Sequence, residues 1–186
     1  NERLEGAALV RASQPYAKEQ PLRTWWLYLS TVGIYAALMA YVALVPWLAL
    51  KVAGSVVLGL VVVRLFIIYH DFHHGAIFRK SRVAPWLINW VGFLTQAPSS
   101  VWKETHDYHH THNARLLGSA IGSYPLVTVG IWRVMKPEQK RLYRFIRHPL
   151  TIALGFFTAF QIGFCYSAFR RDPKRHWRGP VAFFTY

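Results

Sequence analysis

Three histidines lie close together in "YHDFHH", residues 69–74, and four more in "HDYHHTH", in the stretch 106–112. Seven of the nine histidines of the chain fall in these two stretches. In the first, His70 and His74 are four apart and His73 is three from His70, so a helix carries all three on one face. His106, His109 and His110 repeat that spacing. His112 is out of phase with His110 but within reach of the same region. Imidazole is the commonest neutral metal ligand and suits Fe, Zn, Cu and Ni. One such cluster can arise by chance. Two, each preceded by a segment that places it at a membrane interface, point to metal binding. The other two histidines, His148 and His176, are read as surface residues or helix-dipole partners.

The number of donors narrows the chemistry. A zinc site usually takes four ligands, and the two clusters offer at least five, more than one zinc needs. Carboxylates are scarce: Asp71, Glu104 and Asp107 are those near the clusters. The Glu plus ExxH pattern of soluble di-iron proteins is absent. A histidine-rich centre for two metals fits best. Asp71 and Asp107 each follow the first histidine of a cluster. There a carboxylate can accept the ring N–H of a ligand and fix its tautomer; a capping or solvated carboxylate is the alternative. His73 and His112 are held as candidate extra ligands or supporting groups.

The elements that must position these residues look like membrane helices. Hydrophobic residues make up 53% of the 186-residue chain and aromatics 16%, with eight Trp. Residues 25–45, "WWLYLSTVGIYAALMAYVALV", carry no charge, and about 20 apolar residues span a bilayer as a helix. Residues 52–69 form a second span, with Arg64 near its end able to snorkel to the headgroups. Residues 149–169 are uncharged and are expected to be a third, and a fourth begins near residue 181. Residues 1–24 are a polar, basic N-terminal segment, with Arg3, Arg11, Lys18 and Arg23; residues 25–186 are one partial membrane domain. Residues 83–102 also lack charge but contain Pro85, Asn89, Gln96 and Pro98. An interfacial or re-entrant segment is expected there, because a full crossing would separate the two histidine clusters. Residues 116–132 are read the same way. "KPEQKRLYRFIRHPL", 136–150, reads as a basic amphipathic helix on an anionic surface. The expected class is therefore all-α: an integral membrane helical bundle with interfacial amphipathic helices that carry the histidines.

Charge sets the orientation and the partners. Lys plus Arg number 22 against 8 Asp plus Glu, a formal charge of +14. With apolar spans present, such an excess marks cytoplasmic loops rather than nucleic-acid binding, for which no motif is present. Both outer ends of the first two spans are basic, which places the histidine clusters on the cytoplasmic face. "RRDPKRHWR", 170–178, resists this scheme. If residues 149–169 cross outward, that basic loop lies on the wrong side; otherwise they turn back. Cys165 is the single cysteine, so the chain has no internal disulfide and no Cys-based zinc site. The chain begins with Asn1 rather than Met and stops inside an apolar run, so a fragment is expected.

The two boxes, "HDFHH" and "HDYHH", with the context "WKETHDYHHTHN" and the small-residue stretch "GSAIGSYP", resemble the integral-membrane fatty acid desaturase and hydroxylase family, bacterial desaturases most closely. The resemblance covers most of residues 25–186. It maps His70 and His74 onto the first box and His106, His109 and His110 onto the second. The position of His73 often holds another residue in the family, and His112 lies outside the core pattern. The family's third box, another HxxHH, would fall beyond Tyr186, so this stretch alone is expected to hold an incomplete, inactive site. The resemblance implies an oxidoreductase of lipid metabolism: two Fe ions, O₂ as co-substrate, and a double bond introduced into an acyl lipid, acyl-CoA or acyl-ACP. Electrons must come from a donor such as a ferredoxin or a cytochrome b5-like protein, because no flavin, NAD or Fe–S motif is visible. The bacterial inner membrane is favoured, or the endoplasmic reticulum in a eukaryote. Trp25, Trp26, Trp86 and Trp90 are interfacial anchors or walls of an acyl tunnel. The same boxes serve hydroxylases and ketolases of alkanes, sterols or carotenoids. A metal transporter or a bis-histidine haem protein is the reading from another class. It is disfavoured because the histidines lie at span ends and the spans are nearly free of polar residues.

Overall fold

The computed structural model describes residues 5–113, 115–116 and 126–185. Arg3, the "GSAIGSYP" stretch, part of 116–132 and Tyr186 lie outside the described residues. The described residues are helical with no strand. The fold is all-α and fits a membrane helical bundle. It divides into two compact units, Asn1–Thr95 and Gln96–Tyr186.

The first unit is built on two long helices. After α1 (Gly6–Ser13) and a short 3₁₀ turn, α2 runs Pro21–Leu44 and α3 runs Leu48–His73. Pro21 opens α2 where a missing N–H costs nothing. Pro46 ends it by forcing Val45 into an extended conformation. The 24 and 26 residues span about 36 and 39 Å, enough for a hydrocarbon core of about 30 Å. Their mean hydropathies are 1.7 and 2.4, and among the described residues these two are the helices long and apolar enough to cross a membrane. A three-residue link lets them pack side by side. Gly54 makes the closest approach: a Cβ there would stand 2.8 Å from Tyr41 Cε1 and 3.1 Å from Val42 Cγ2. Val32, Ile34, Met39, Val56, Leu60 and Val63 stay exposed. Helices apolar on all sides, packed on one and bare on the other, suit lipid as solvent.

At the far end the chain is tied down by polar and aromatic contacts. Trp25, Tyr28 and Phe78 meet edge to face, with ring centroids 4.7–6.2 Å apart. The carboxylate of Glu19 accepts the backbone N–H groups of Phe78 and Arg79. α4 (Ala84–Leu94) then packs on α3. Its 11 residues rise about 16 Å, about half of what a crossing needs. Residues 83–102 are thus broken into α4 and the start of the next helix.

In the second unit, α5 (Ser99–His112) carries the later histidines. α6 (Val129–Val134) and α7 (Pro137–Ile146) follow. α7 is the expected basic amphipathic helix, with Gln139 accepting the N–H of Lys136 at its start. Lys140 and Arg144 lie over the Trp132 ring, 5.6 and 5.4 Å from its centroid. From Pro149 to Arg171 the chain is helical in three pieces: α8 (Pro149–Ala153), a π-wound stretch (Phe156–Tyr166) and α9 (Ser167–Arg171). Short helices α10 (Pro173–His176) and α11 (Arg178–Phe184) close the unit. Its core is Val101, Cys165 and Ala168 with Phe160 and Phe164. Gln161 Nε2 donates to the Gln96 carbonyl at 2.8 Å, satisfying a buried amide.

Candidate metal centre

The first histidine cluster is the last turn of α3. Glycine sets where that turn ends. Gly75 takes φ 64°, its N–H bonds the Phe72 carbonyl, and the N–H of Ala76 bonds the Asp71 carbonyl. This paired closure satisfies carbonyls the helix would otherwise leave open, and glycine adopts it without a Cβ penalty. His70 and His74 then stand one above the other, ring centroids 4.4 Å apart. The Nδ1–H of His70 points to the Asp71 carboxylate at 2.9 Å. A proton held at Nδ1 leaves Nε2 with its lone pair, the form a metal binds. His73 turns elsewhere: its ring meets the buried Tyr69 at 4.4 Å and Phe72 at 5.4 Å.

The second cluster occupies the last two turns of α5. His106 and His110, one turn apart, bring their Nε2 atoms to 3.0 Å. Two nitrogens bound about 2.1 Å from one cation, at angles between octahedral and tetrahedral, lie about 3.0–3.4 Å apart. The pair thus stands at the separation of two ligands on one ion. His106 is stacked on Trp102, with centroids 4.3 Å apart and planes 20° apart, which fixes its ring. His109 sits 5.8 Å from His110 and 6.2 Å from His106 by ring centroid. Its Nδ1 is buried without a hydrogen-bond partner among the described residues. A buried ring nitrogen is costly to leave unmatched, and a bound ion would match it.

His112 is committed to its own helix. It stacks on Tyr108 at 3.9 Å, and its Nδ1 reaches the Tyr108 carbonyl at 3.0 Å and Thr111 Oγ1 at 2.8 Å. Asp107 pairs with Lys103 at 2.5 Å, one turn back. Each pair, His70 with His74 and His106 with His110, offers ring nitrogens one helical turn apart that suit a metal ion. All are neutral imidazole donors, a set that suits iron, zinc and copper.

α10 supports the helix of the second cluster, which the sequence reading did not anticipate. His176 is buried, 7% exposed, and its Nδ1 hydrogen-bonds with Ser100 Oγ at 3.2 Å. It is a packed side chain, not the surface residue expected. Arg175 pairs with Glu104, and the Asp172 carboxylate accepts the Arg175 N–H at 3.1 Å. The signal for this was the lone Glu104 beside a cluster and the basic run 170–178. His148 is exposed, as expected, and accepts the Leu150 N–H at the start of α8.

The chain is similar to a fatty acid desaturase of Bacillus subtilis (strain 168). Identity is 27% over 137 residues, 74% of this chain. The chain spans 38% of the length of that relative. No protein-family profile matches the chain, and no solved structure matches it.

Proposed function

We propose that the chain is part of a membrane fatty acid desaturase, an O₂-dependent oxidoreductase acting on an acyl chain. The observation that carries this reading is the pairing of ring nitrogens one helical turn apart in HxxHH sequences, His106 with His110. The similarity to the B. subtilis desaturase supports it. In this reading His70, His74, His106, His109 and His110 hold iron, two ions in the complete site. Iron bound there supplies the capacity to use O₂ to remove hydrogen from an unactivated methylene.

The chain's own residues do the rest. Asp71 keeps the His70 proton on Nδ1. Trp102 fixes the plane of His106. The bare apolar sides of α2 and α3 keep the site at a lipid surface, where an acyl chain is delivered and water is excluded. The histidines then face the cytoplasm, with Arg79, Lys80 and Arg82 following the first cluster in the chain, in accord with the positive-inside rule. The basic helix α7 offers Arg141, Arg144 and Arg147 to an acidic electron donor.

The test is iron analysis of the full-length protein in detergent, with lipid profiles of cells expressing it. About two irons per chain and new unsaturated acyl chains are the expected result. Hydroxylated products would move the reading to the hydroxylase branch, and zinc with unchanged lipids would end it. Alanine at any of the five histidines is expected to abolish product formation, whereas His148→Ala and His112→Ala keep it. Turnover retained by one of the five would remove that residue from the ligand set.

A further inference from the structure

The start of α2 and the loop after α3 enclose an open cleft of about 610 Å³. Lys18, Arg79 and Lys80 line it, with Trp25 and Phe78 as its apolar wall and Glu19 as its carboxylate. Glu19 is spent internally, because its two carboxylate oxygens take the N–H groups of Phe78 and Arg79. Phe78 reaches this position in the left-handed region, φ 58°, and is itself buried. The Nε of Arg79 donates to the Gly75 carbonyl at 2.5 Å, which anchors its side chain beside the cleft. Among the described residues, no carboxylate pairs with Lys18, Arg79 or Lys80.

Three cations against the one Glu19 carboxylate leave the cleft with a net positive charge, and an anion seated there relieves the repulsion among them. The cleft also lies at the ends of both long apolar helices, the level at which bilayer headgroups stand. Trp25 and Phe78 offer the apolar stem of a lipid a wall, while the cations offer its phosphate a charge-assisted seat. We infer that this cleft binds a phosphate-bearing anion, with the phosphodiester of an anionic membrane lipid as its source. The inference is independent of the metal centre, since no histidine lines the cleft.

The experiment uses the full-length protein in nanodiscs of mixed phosphatidylcholine and phosphatidylglycerol, with retained lipids read by native mass spectrometry. Wild type is expected to keep a phosphatidylglycerol. Lys18→Gln/Arg79→Gln/Lys80→Gln is expected to lose it by on the order of tenfold or more. A control triple on α7 and its flanks, Lys136→Gln/Arg141→Gln/Arg147→Gln, is expected to keep it. So is Lys18→Arg/Arg79→Lys/Lys80→Arg, which guards against simple misfolding. Inorganic phosphate, titrated into detergent-solubilised protein and followed by phosphorus NMR, separates the sources. Phosphate binding lost in the cleft variant without lipid retention would keep the site and assign it a soluble phosphate. Retention equal in wild type and cleft variant, equal loss in the α7 control, or binding of neither probe would overturn the inference.

Discussion

Asp71 and Asp107 follow equivalent histidines in two similar sequences, yet Asp107 meets a lysine as well. Asp71 takes the ring N–H of His70 at 2.9 Å, while Asp107 takes the ammonium of Lys103. The difference comes from the residue one turn back on each helix: Lys103 precedes Asp107 by four, and Ile67 precedes Asp71 by four. An exposed lysine–carboxylate pair contributes little, roughly 0–1 kcal/mol. The carboxylate on a ligand histidine bears on the metal itself. Asp71→Asn is therefore expected to weaken metal binding by roughly 10–100-fold. Competition with a chelator of known affinity measures the change, and an affinity equal to wild type would show that the Asp71 carboxylate does not act on the ligand.

At the scale of elements, two contacts carry the packing that positions the histidines. One is Gly54, where α2 and α3 touch. Gly54→Leu must displace the Tyr41 ring and is expected to cost about 1–3 kcal/mol. At Gly59, exposed on the same helix, a Cβ meets nothing within 4 Å, and Gly59→Leu should leave thermal unfolding in detergent nearly unchanged. The other is the seat of α10 on α5. His176→Ala leaves the Ser100 hydroxyl without its buried partner, at about 1–3 kcal/mol, and loosens the helix of the second cluster. His176→Asn keeps a donor and should recover part of that loss. If neither variant shifts unfolding of the second unit, followed by hydrogen exchange on α5, the seat does not hold the helix.

For the whole molecule, the basic stretches set which membrane face each loop occupies. The contact of α10 with α5 puts residues 170–178 beside the helix of the second cluster, which favours a turn back within residues 149–171 over an outward crossing. In a Cys165→Ser background, single cysteines at Lys80, Thr111 and Lys174 report sidedness through a membrane-impermeant maleimide. All three positions are exposed. All three are expected to react only after the cells are permeabilised. Labelling of Lys174→Cys in intact cells would mean that residues 149–171 cross.

The helical class, the two long apolar helices and the histidine spacing are legible in the residues alone. These depend on local terms: hydropathy over about 20 residues and a period of 3.6. So is α7, because amphipathicity is a local pattern. The rest came from packing between elements. Three histidines at i, i+3 and i+4 looked equivalent, but packing sent His73 to Tyr69 and left His70 with His74. His176 looked like a surface residue until α10 folded onto α5 across more than 70 positions of sequence. The carboxylate of Glu19 found its two N–H groups about 60 positions away. No window of sequence encodes such partners, because they are chosen by which surfaces remain to be covered once the helices have formed.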